Sequence, residues 1–426
     1  MERIDIENFL SINKATVELK KVNVFIGPQA QGKSIIAKLI SFFKEIPDSL
    51  VNSLIENTTK REFTNAQIAK FEQIFPSMYW EHKEFHIEYT TRYYSVEIKN
   101  KIQAKNNKLC ITFSDEVDKA IKSIRNHIKK TSNFEDKDPN AMPFRFQIVD
   151  DVRQVLMNSL FKESTVSSIE NIMYIPAGRS FFANLQKNIF SFLTSNIKVD
   201  YFIKEFGSVY ESTKDISFYK HISRRTPPAV AKIVDSLICG KFSTEKGQDW
   251  ITGKNGKINV ADSSSGQQES LPMALMLSTW PYISTQKYCR SFILEEPEAH
   301  LFPAAQGSVV SLIANAYNKS ERFSSYTITT HSPYILTALN NLIQAGNTLK
   351  ECNTTDKRKY LFSIVPKTEI IQFDDVAAYL INAGEAKSIL DYDVNLIDAA
   401  AIDQISNVFS DKFDKLMELQ YLDYEE

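Results

Sequence analysis

The feature that most constrains this chain is Gly27-Pro28-Gln29-Ala30-Gln31-Gly32-Lys33-Ser34, a full match to G-x-x-x-x-G-K-[ST]. It follows an apolar run, Val22 to Ile26, suited to a buried strand. It precedes a helical pattern that puts Ile35, Ile36, Leu39, Ile40 and Phe43 on one face. Strand, glycine loop and helix in that order commit the chain to an α/β fold. Glycines let the backbone curl so that several N–H groups point at one anion, and the helix N-terminus adds partial positive charge. Lys33 is expected to reach the β- and γ-phosphates of a nucleoside triphosphate, and Ser34 to hold Mg²⁺.

A second apolar run ends in two carboxylates, Ser291-Phe-Ile-Leu-Glu295-Glu296-Pro297. Strand alternation sends the two side chains in different directions. Glu295 is therefore assigned to the Mg²⁺ shell and Glu296 to positioning or deprotonating the attacking water. Between loop and acids lies Asp262-Ser263-Ser264-Ser265-Gly266-Gln267-Gln268-Glu269, a hydroxyl-rich turn entering a helix. Such runs are ordinarily loops, yet a serine with backbone N–H groups at a helix N-terminus is also a second anion cradle.

Taken in order, the phosphate loop, SSSGQQ, ILEEPEAHLFP and TTHSPYIL resemble the ABC-type branch of AAA-family ATPases that includes SMC and RecF proteins. The chain looks most like the ATPases of OLD-like, PARIS-type and retron-associated anti-phage defence systems. Transporter ATPases usually carry Asp-Glu at the acidic pair and a different continuation. The resemblance covers 1–34 and roughly 170–340. It implies a P-loop NTPase fold of ABC type: a mixed β-sheet core with an antiparallel β subdomain and a helical insertion.

The resemblance also implies roles. Ser264, Gly266 and Gln267 stand at the signature turn, which in the family contacts the γ-phosphate held by another subunit. Ser265 replaces the first signature glycine. His331, at the end of the YTITT run, stands at the switch histidine. The implied assembly is a homodimer or higher oligomer with ATP and Mg²⁺ in composite sites. Arg179, in Tyr174-Ile-Pro-Ala-Gly-Arg179-Ser180, falls where transporters carry a glutamine loop; it is open between phosphate contact, coupling and structure. His300 is open between interface and packing.

The remaining chain divides into an ATPase core, 1–44 and 170–426, and an inserted helical and β subdomain, 45–169, facing a partner or nucleic acid. Residues 85–100 and 108–114 read as strands joined around Asn106 and Asn107, and 132–143 as an exposed loop. Residues 180–240 read as mostly helical, with Phe181, Phe182, Phe190, Phe192, Tyr201, Phe202, Phe206 and Tyr210 forming core or an oligomer interface. A strand is expected at INVAD (258–262). The tail reads as two strand-like runs, KYLFSIVP and TEIIQF, followed by amphipathic helices carrying Asp374, Asp375, Asp391, Asp393 and Asp398. Those acids do not form the pattern of a TOPRIM nuclease. No heptad run persists, which excludes a long-armed SMC.

A net charge of −2 leaves nucleic acid to a local patch, and Lys119, Lys122, Arg125, Lys129 and Lys130 provide a basic helix face for nucleic acid, for a partner or for solvent. Cys110, Cys239, Cys289 and Cys352 stand far apart without a CxxC pair, fitting a reducing cytosol rather than zinc or disulfides. His82, His86, His127 and His221 lack ligand-like spacing. No secretory signal or membrane span is expected, so the protein is expected to be cytoplasmic. The leading expectation is an ATP-hydrolysing regulatory scaffold that controls a separate effector or toxin in phage defence. The rivals are a RecF- or SMC-like DNA-repair ATPase and a non-hydrolysing, ATP-dependent toxin-binding scaffold.

Overall fold

The computed structural model describes residues 2–101, 108–131, 142–161, 170–183, 199–218, 226–283, 289–319, 324–398 and 410–419. The turn expected at Asn106 and Asn107, most of the 132–143 loop, Phe190, Phe192 and His221 lie outside these residues.

The fold is mixed α/β, built on one 11-stranded sheet of P-loop ATPase type. Its parallel half runs β13 (Val376–Asn382), β3 (Val22–Ile26), β12 (Tyr326–Thr330), β11 (Cys289–Glu295) and β7 (Glu170–Ile175). Its antiparallel half runs β2 (Ile12–Leu19), β1 (Glu2–Phe9), β4 (Phe85–Thr90), β5 (Ser95–Lys101) and β6 (Lys108–Phe113). The short β14 (Glu385–Ser388) joins the halves, antiparallel to β13 and parallel to β2. The strands of 45–169 therefore extend the same sheet from the β1 edge.

Sequence pattern explains the two halves. Strands β3 and β12 are buried at every position, as parallel strands covered on both faces must be. Strands β4 and β5 alternate buried and half-buried residues, with one face turned to the core. That face meets α1 (Lys33–Lys44), α2 (Ile46–Ile55) and α3 (Lys60–Ile74) in a core where Phe9, Phe71, Phe75, Trp80 and Phe85 interlock, Phe9 and Phe85 with ring centres 4.7 Å apart. Helix α3 is fixed at its start by a capping box between Thr59 and Glu62. Beyond β6 lie α4 (Asp115–Thr131) and α5 (Met142–Leu156). After β7 come α6 (Tyr201–Phe218), α7 (Pro228–Leu237) and a three-stranded antiparallel sheet of β8 (Lys241–Glu245), β9 (Gln248–Gly253) and β10 (Gly256–Asn259). Helices α8 (Ser265–Thr279), α9 (Pro303–Lys319) and α10 (Pro333–Glu351) pack on the parallel half.

Several expectations change. The run 85–100 is two strands, broken at Thr91, whose Oγ1 accepts from the backbone N–H of Tyr93 and Tyr94 and closes a turn. Val260–Asp262 is a 3-10 turn capped by Asn259, not the end of a strand. KYLFSIVP lies largely in helix α11 (Thr355–Ile364), which buries Leu361 and leaves Tyr360 and Ile364 exposed. In TEIIQF only Ile370 to Gln372 are extended, between two 3-10 turns that take up its ends, and they do not join the sheet. The largest change is in the tail. Residues 376–388 are the strands β13 and β14, because Val376 to Leu380 pair with Val22 to Ile26. Asp374 and Asp375 sit in the turn before β13, and Asp391, Asp393 and Asp398 in and around a small two-stranded ribbon. After Ser388 only 410–419 is helical among the described residues, and its side chains are mostly exposed.

Of the aromatic group, Phe182, Phe206 and Tyr210 pack into the core of the parallel half. Phe202 stacks on Tyr174 at 3.9 Å. No helix among the described residues is long and apolar enough to cross a membrane.

Candidate nucleotide site

Four parallel neighbours end side by side. Ile26 pairs with Thr330, Thr329 with Glu295, and Leu294 with Ile175. Their carboxyl ends release the phosphate loop, His331, Glu296 and the 176–180 turn onto one rim. Open α/β sheets bind ligands on such a rim.

The loop starts at Gly27 because nothing larger fits: a Cβ there would lie 2.1 Å from the Ile381 carbonyl oxygen on β13. Pro28, Gln29, Ala30 and Ser34 are exposed, and Gln31 is half-buried. Gly32 caps α1, and Lys33 opens it. The Lys33 ammonium donates to the Gly27 and Pro28 carbonyls at 2.8 and 2.6 Å and lies 3.3 Å from His331 Nδ1. Burial lowers the Lys33 pKa from its ordinary value, against the opposing pull of Glu296 and Glu298.

His331 Nε2 lies 3.3 Å from Glu296 Oε1. An imidazole that accepts at Nδ1 and donates at Nε2 satisfies both neighbours. Lys33, His331 and Glu296 thus form one chain of polar contacts across three elements. Glu295, the last residue of β11, meets Ala177 and Tyr174 instead. Its Oε2 accepts from the Ala177 N–H at 3.3 Å, and the carboxylate lies beside the buried Tyr174 hydroxyl, whose pKa burial and this carboxylate raise. A carboxylate that is not saturated by protein donors is the donor type a hydrated cation takes. Among the described residues no group of three or more His, Cys, Asp or Glu could hold a metal. Magnesium suits such a site, since it keeps several waters and takes one or two carboxylates beside substrate phosphates.

The serine turn caps α8. Ser264 accepts from the Gln267 N–H, and the Gln267 side chain returns to the Ser264 N–H. Gln267 also donates to the Ile238 carbonyl at 2.8 Å, so its amide is committed within the chain. Ser264 and Ser265 are exposed. The departure at Ser265 has a physical reason. Gly266 is the position under a neighbour, where a Cβ would lie 2.9 Å from the His300 carbonyl oxygen, and Ser265 faces open space. His300 itself is exposed with φ +60°. Among the described residues no hydrogen bond or ion pair joins the serine turn to the phosphate loop of its own chain.

Residues not singled out from sequence support this rim. Glu298 Oε1 accepts from the His331 N–H and from Thr330 Oγ1, both at 2.7 Å. Ser332 donates to Gln306 at 2.5 Å. Glu269, buried in α8, accepts from the N–H of Arg179 and of Ser180. The signal for Glu269 is that it is the single charged residue of α8, at the head of its apolar run. Gln31 accepts from the Ala383 N–H at 2.8 Å, so the turn after β13 buttresses the loop. Arg179 is fully buried, and its guanidinium donates to the carbonyls of Pro176, Glu269, Glu295 and Glu296. On α4, Lys119, Lys122, Lys129 and Lys130 are exposed, whereas Arg125 turns in to donate to the Thr58 carbonyl.

A family model described as an AAA ATPase domain matches residues 1–336. No curated protein matches the chain. Similar solved structures include an SmcHead bound to the C-winged helix domain of ScpA, 11% identical, covering 91% of this chain and 96% of that one, TM-score 0.38. They also include the SMC head domain from Thermotoga maritima, 10% identical, covering 91% and 97%, TM-score 0.34. The recombination mediator protein RecF is similar at 12% identity, 91% and 97% coverage and TM-score 0.31.

Proposed function

The chain belongs to the AAA ATPase domain family, and from that premise we propose that it binds ATP with Mg²⁺ and hydrolyses it in a site completed by a second copy of the chain. The observation that carries this reading is the meeting of Lys33, His331 and Glu296 at hydrogen-bond distance on one strand rim. In-line attack on a γ-phosphate needs an oriented water and preorganised positive charge more than covalent chemistry.

Each residue then has a task. The loop 27–34 offers its N–H groups to the β- and γ-phosphates. Lys33, whose donors are turned to Gly27, Pro28 and His331, exchanges at least one of these acceptors for a phosphate oxygen. Glu296 orients the attacking water and receives its proton. The single N–H of His331, on the Glu296 carboxylate in the free protein, passes to the γ-phosphate when the nucleotide binds. Ser34 and Glu295 would hold Mg²⁺, which supplies charge neutralisation at the phosphates. The exposed Ser264 and Ser265 at the head of α8 face outward, and this supports engagement of the γ-phosphate on a partner molecule. ATP binding would close the pair and hydrolysis release it. We place this cycle in a cytoplasmic anti-phage system, where it controls a separate effector; that part rests on the likeness of EEPEAHLFP and TTHSP to defence ATPases.

Glu296→Gln tests the chemistry. ATP affinity should stay near wild type, and phosphate release should fall at least about 100-fold. Undiminished release would remove Glu296 from the reaction. Nucleotide-dependent sedimentation of the same variant tests the pairing, which should persist with ATP and vanish with ADP.

A further inference from the structure

Glu296 sits with φ +43°, a left-handed backbone that a glutamate does not favour unaided. Its own N–H donates to the Thr329 carbonyl at 2.9 Å, and its carbonyl accepts from Ala299 at 3.0 Å. Pro297 restricts its ψ, and a buried guanidinium adds two further bonds. Arg179 Nη1 donates to the Glu295 carbonyl at 2.7 Å, and Nη2 to the Glu296 carbonyl at 3.0 Å. The first carbonyl precedes the φ of Glu296 and the second follows its ψ. The two bonds therefore pin both ends of the unit whose rotation aims the carboxylate.

The same arginine is held from α8. Its Nε donates to the Glu269 carbonyl at 3.0 Å, and its backbone N–H to Glu269 Oε2 at 3.0 Å. Glu269 Oε1 accepts from Ser180 at 3.0 Å, so the carboxylate grips the whole 179–180 corner. Glu269 belongs to the first turns of the helix that Ser264 caps. A helix moves as a unit, so displacement of the serine turn reaches Glu269 and, through Arg179, the carbonyls beside Glu296.

We propose that Arg179 is a positioning residue for Glu296 and that Glu269 makes this positioning depend on the serine-turn helix. The proposal rests on the reading of Glu296 as the water-orienting group. Engagement of Ser264 by a partner's nucleotide would thereby set the aim of Glu296 in the same chain, coupling the two sites of a pair. An arginine is required because one planar fork must reach four carbonyls, those of Glu269, Pro176, Glu295 and Glu296, from Nε, Nη1 and Nη2. Lysine keeps the charge and loses the fork.

The test uses the full chain in single-turnover hydrolysis with protein in excess, beside binding of a fluorescent ATP analogue. Arg179→Lys should bind the analogue as wild type does and hydrolyse about 100-fold more slowly, the scale of a misplaced catalytic group. Because both residues act at one point, Arg179→Lys added to Glu296→Gln should bring no further loss. Additive losses overturn the proposal, as does an Arg179→Lys variant that hydrolyses at the wild-type rate. Should Arg179→Lys fail to fold by thermal melting, Glu269→Gln decides. It retains one carbonyl oxygen for two N–H donors, and its rate should fall about 10-fold with ATP affinity unchanged; an unchanged rate overturns the proposal. A Glu296→Gln variant that hydrolyses normally sinks the underlying reading instead, and it does so with Arg179 intact.

Discussion

Helix α1 carries a buried lysine at each end, and their surroundings are opposite. Lys33 faces the phosphate rim, where backbone carbonyls and a histidine serve it and its carboxylates stand further off. Burial wins there, and its pKa is lowered. Lys44 lies at the other end of the sheet, donating to Glu170 at 2.7 Å and to Glu2 at 3.1 Å. Burial acts on it too, but Glu170 and Glu2 together outweigh it and raise its pKa well above the usual lysine range. Glu170 also accepts from Ser291 and Ser325, and Glu2 from the Tyr89 hydroxyl. Lys44 closes a finished cluster that ties α1, β1 and β7 together. Lys33 is left short of negative charge, which is what a site for a triphosphate requires. The same residue type on the same helix is thus structural at one end and receptive at the other.

The largest expected effects come from removing each lysine in turn. Lys44→Met strands two half-buried carboxylates and should cost about 3 kcal/mol of unfolding free energy, read by urea denaturation. Folded protein should still bind ATP normally. A loss below about 1 kcal/mol, typical of an exposed pair, would mean the cluster is not closed. Lys33→Met should behave in reverse. ATP affinity should fall about 100-fold, or roughly 3 kcal/mol, as charge-assisted bonds to phosphate are lost. Its melting temperature should hold or rise, since an under-compensated buried charge is gone. If Lys33→Met melts as early as Lys44→Met, the contrast between the ends fails.

A smaller effect separates the rim from its supports. Glu298 holds His331 through the backbone N–H and Thr330 through its hydroxyl. Glu298→Ala leaves both donors unmet and should lower turnover about 10-fold, with ATP affinity little changed. A greater fall in affinity than in turnover would assign Glu298 to the nucleotide directly.

What the sequence disclosed follows from how local each feature is. The phosphate loop, the acidic pair, the serine turn and His331 are short segments whose chemistry needs particular residues at fixed spacing. The parallel strands β3, β11 and β12 announced themselves as apolar runs. Features set by distant partners stayed hidden. VAAYLIN and EAKS, rich in helix-tolerant alanine, are strands because β3 and β2 offer them edges more than three hundred positions earlier. The Thr91 turn has no glycine, proline or asparagine to mark it. Strands β8 and β9 alternate weakly and are largely polar. Arg179 and Glu269 read as ambiguous or silent because their partners are main-chain groups without a side-chain signature, the carbonyls of Glu295 and Glu296 for Arg179 and the N–H groups of Arg179 and Ser180 for Glu269.

The smallest expected effect is a proton. Lys33 titrates below the ordinary lysine value of 10.5 because burial disfavours its charged form. The free protein therefore sheds this proton early, and its contribution to stability rises with pH between the lowered value and 10.5. A bound triphosphate restores the charged form. ATP binding in that alkaline window should take up a fraction of one proton, and affinity should weaken as pH rises through it. Calorimetry in buffers of different ionisation heat measures the uptake, and Lys33→Met should abolish it. The parallel measurement on Lys44→Met should show the uptake intact, because Lys44 is already charged through the whole window. Uptake lost in Lys44→Met and kept in Lys33→Met would reverse the assignment of the two ends.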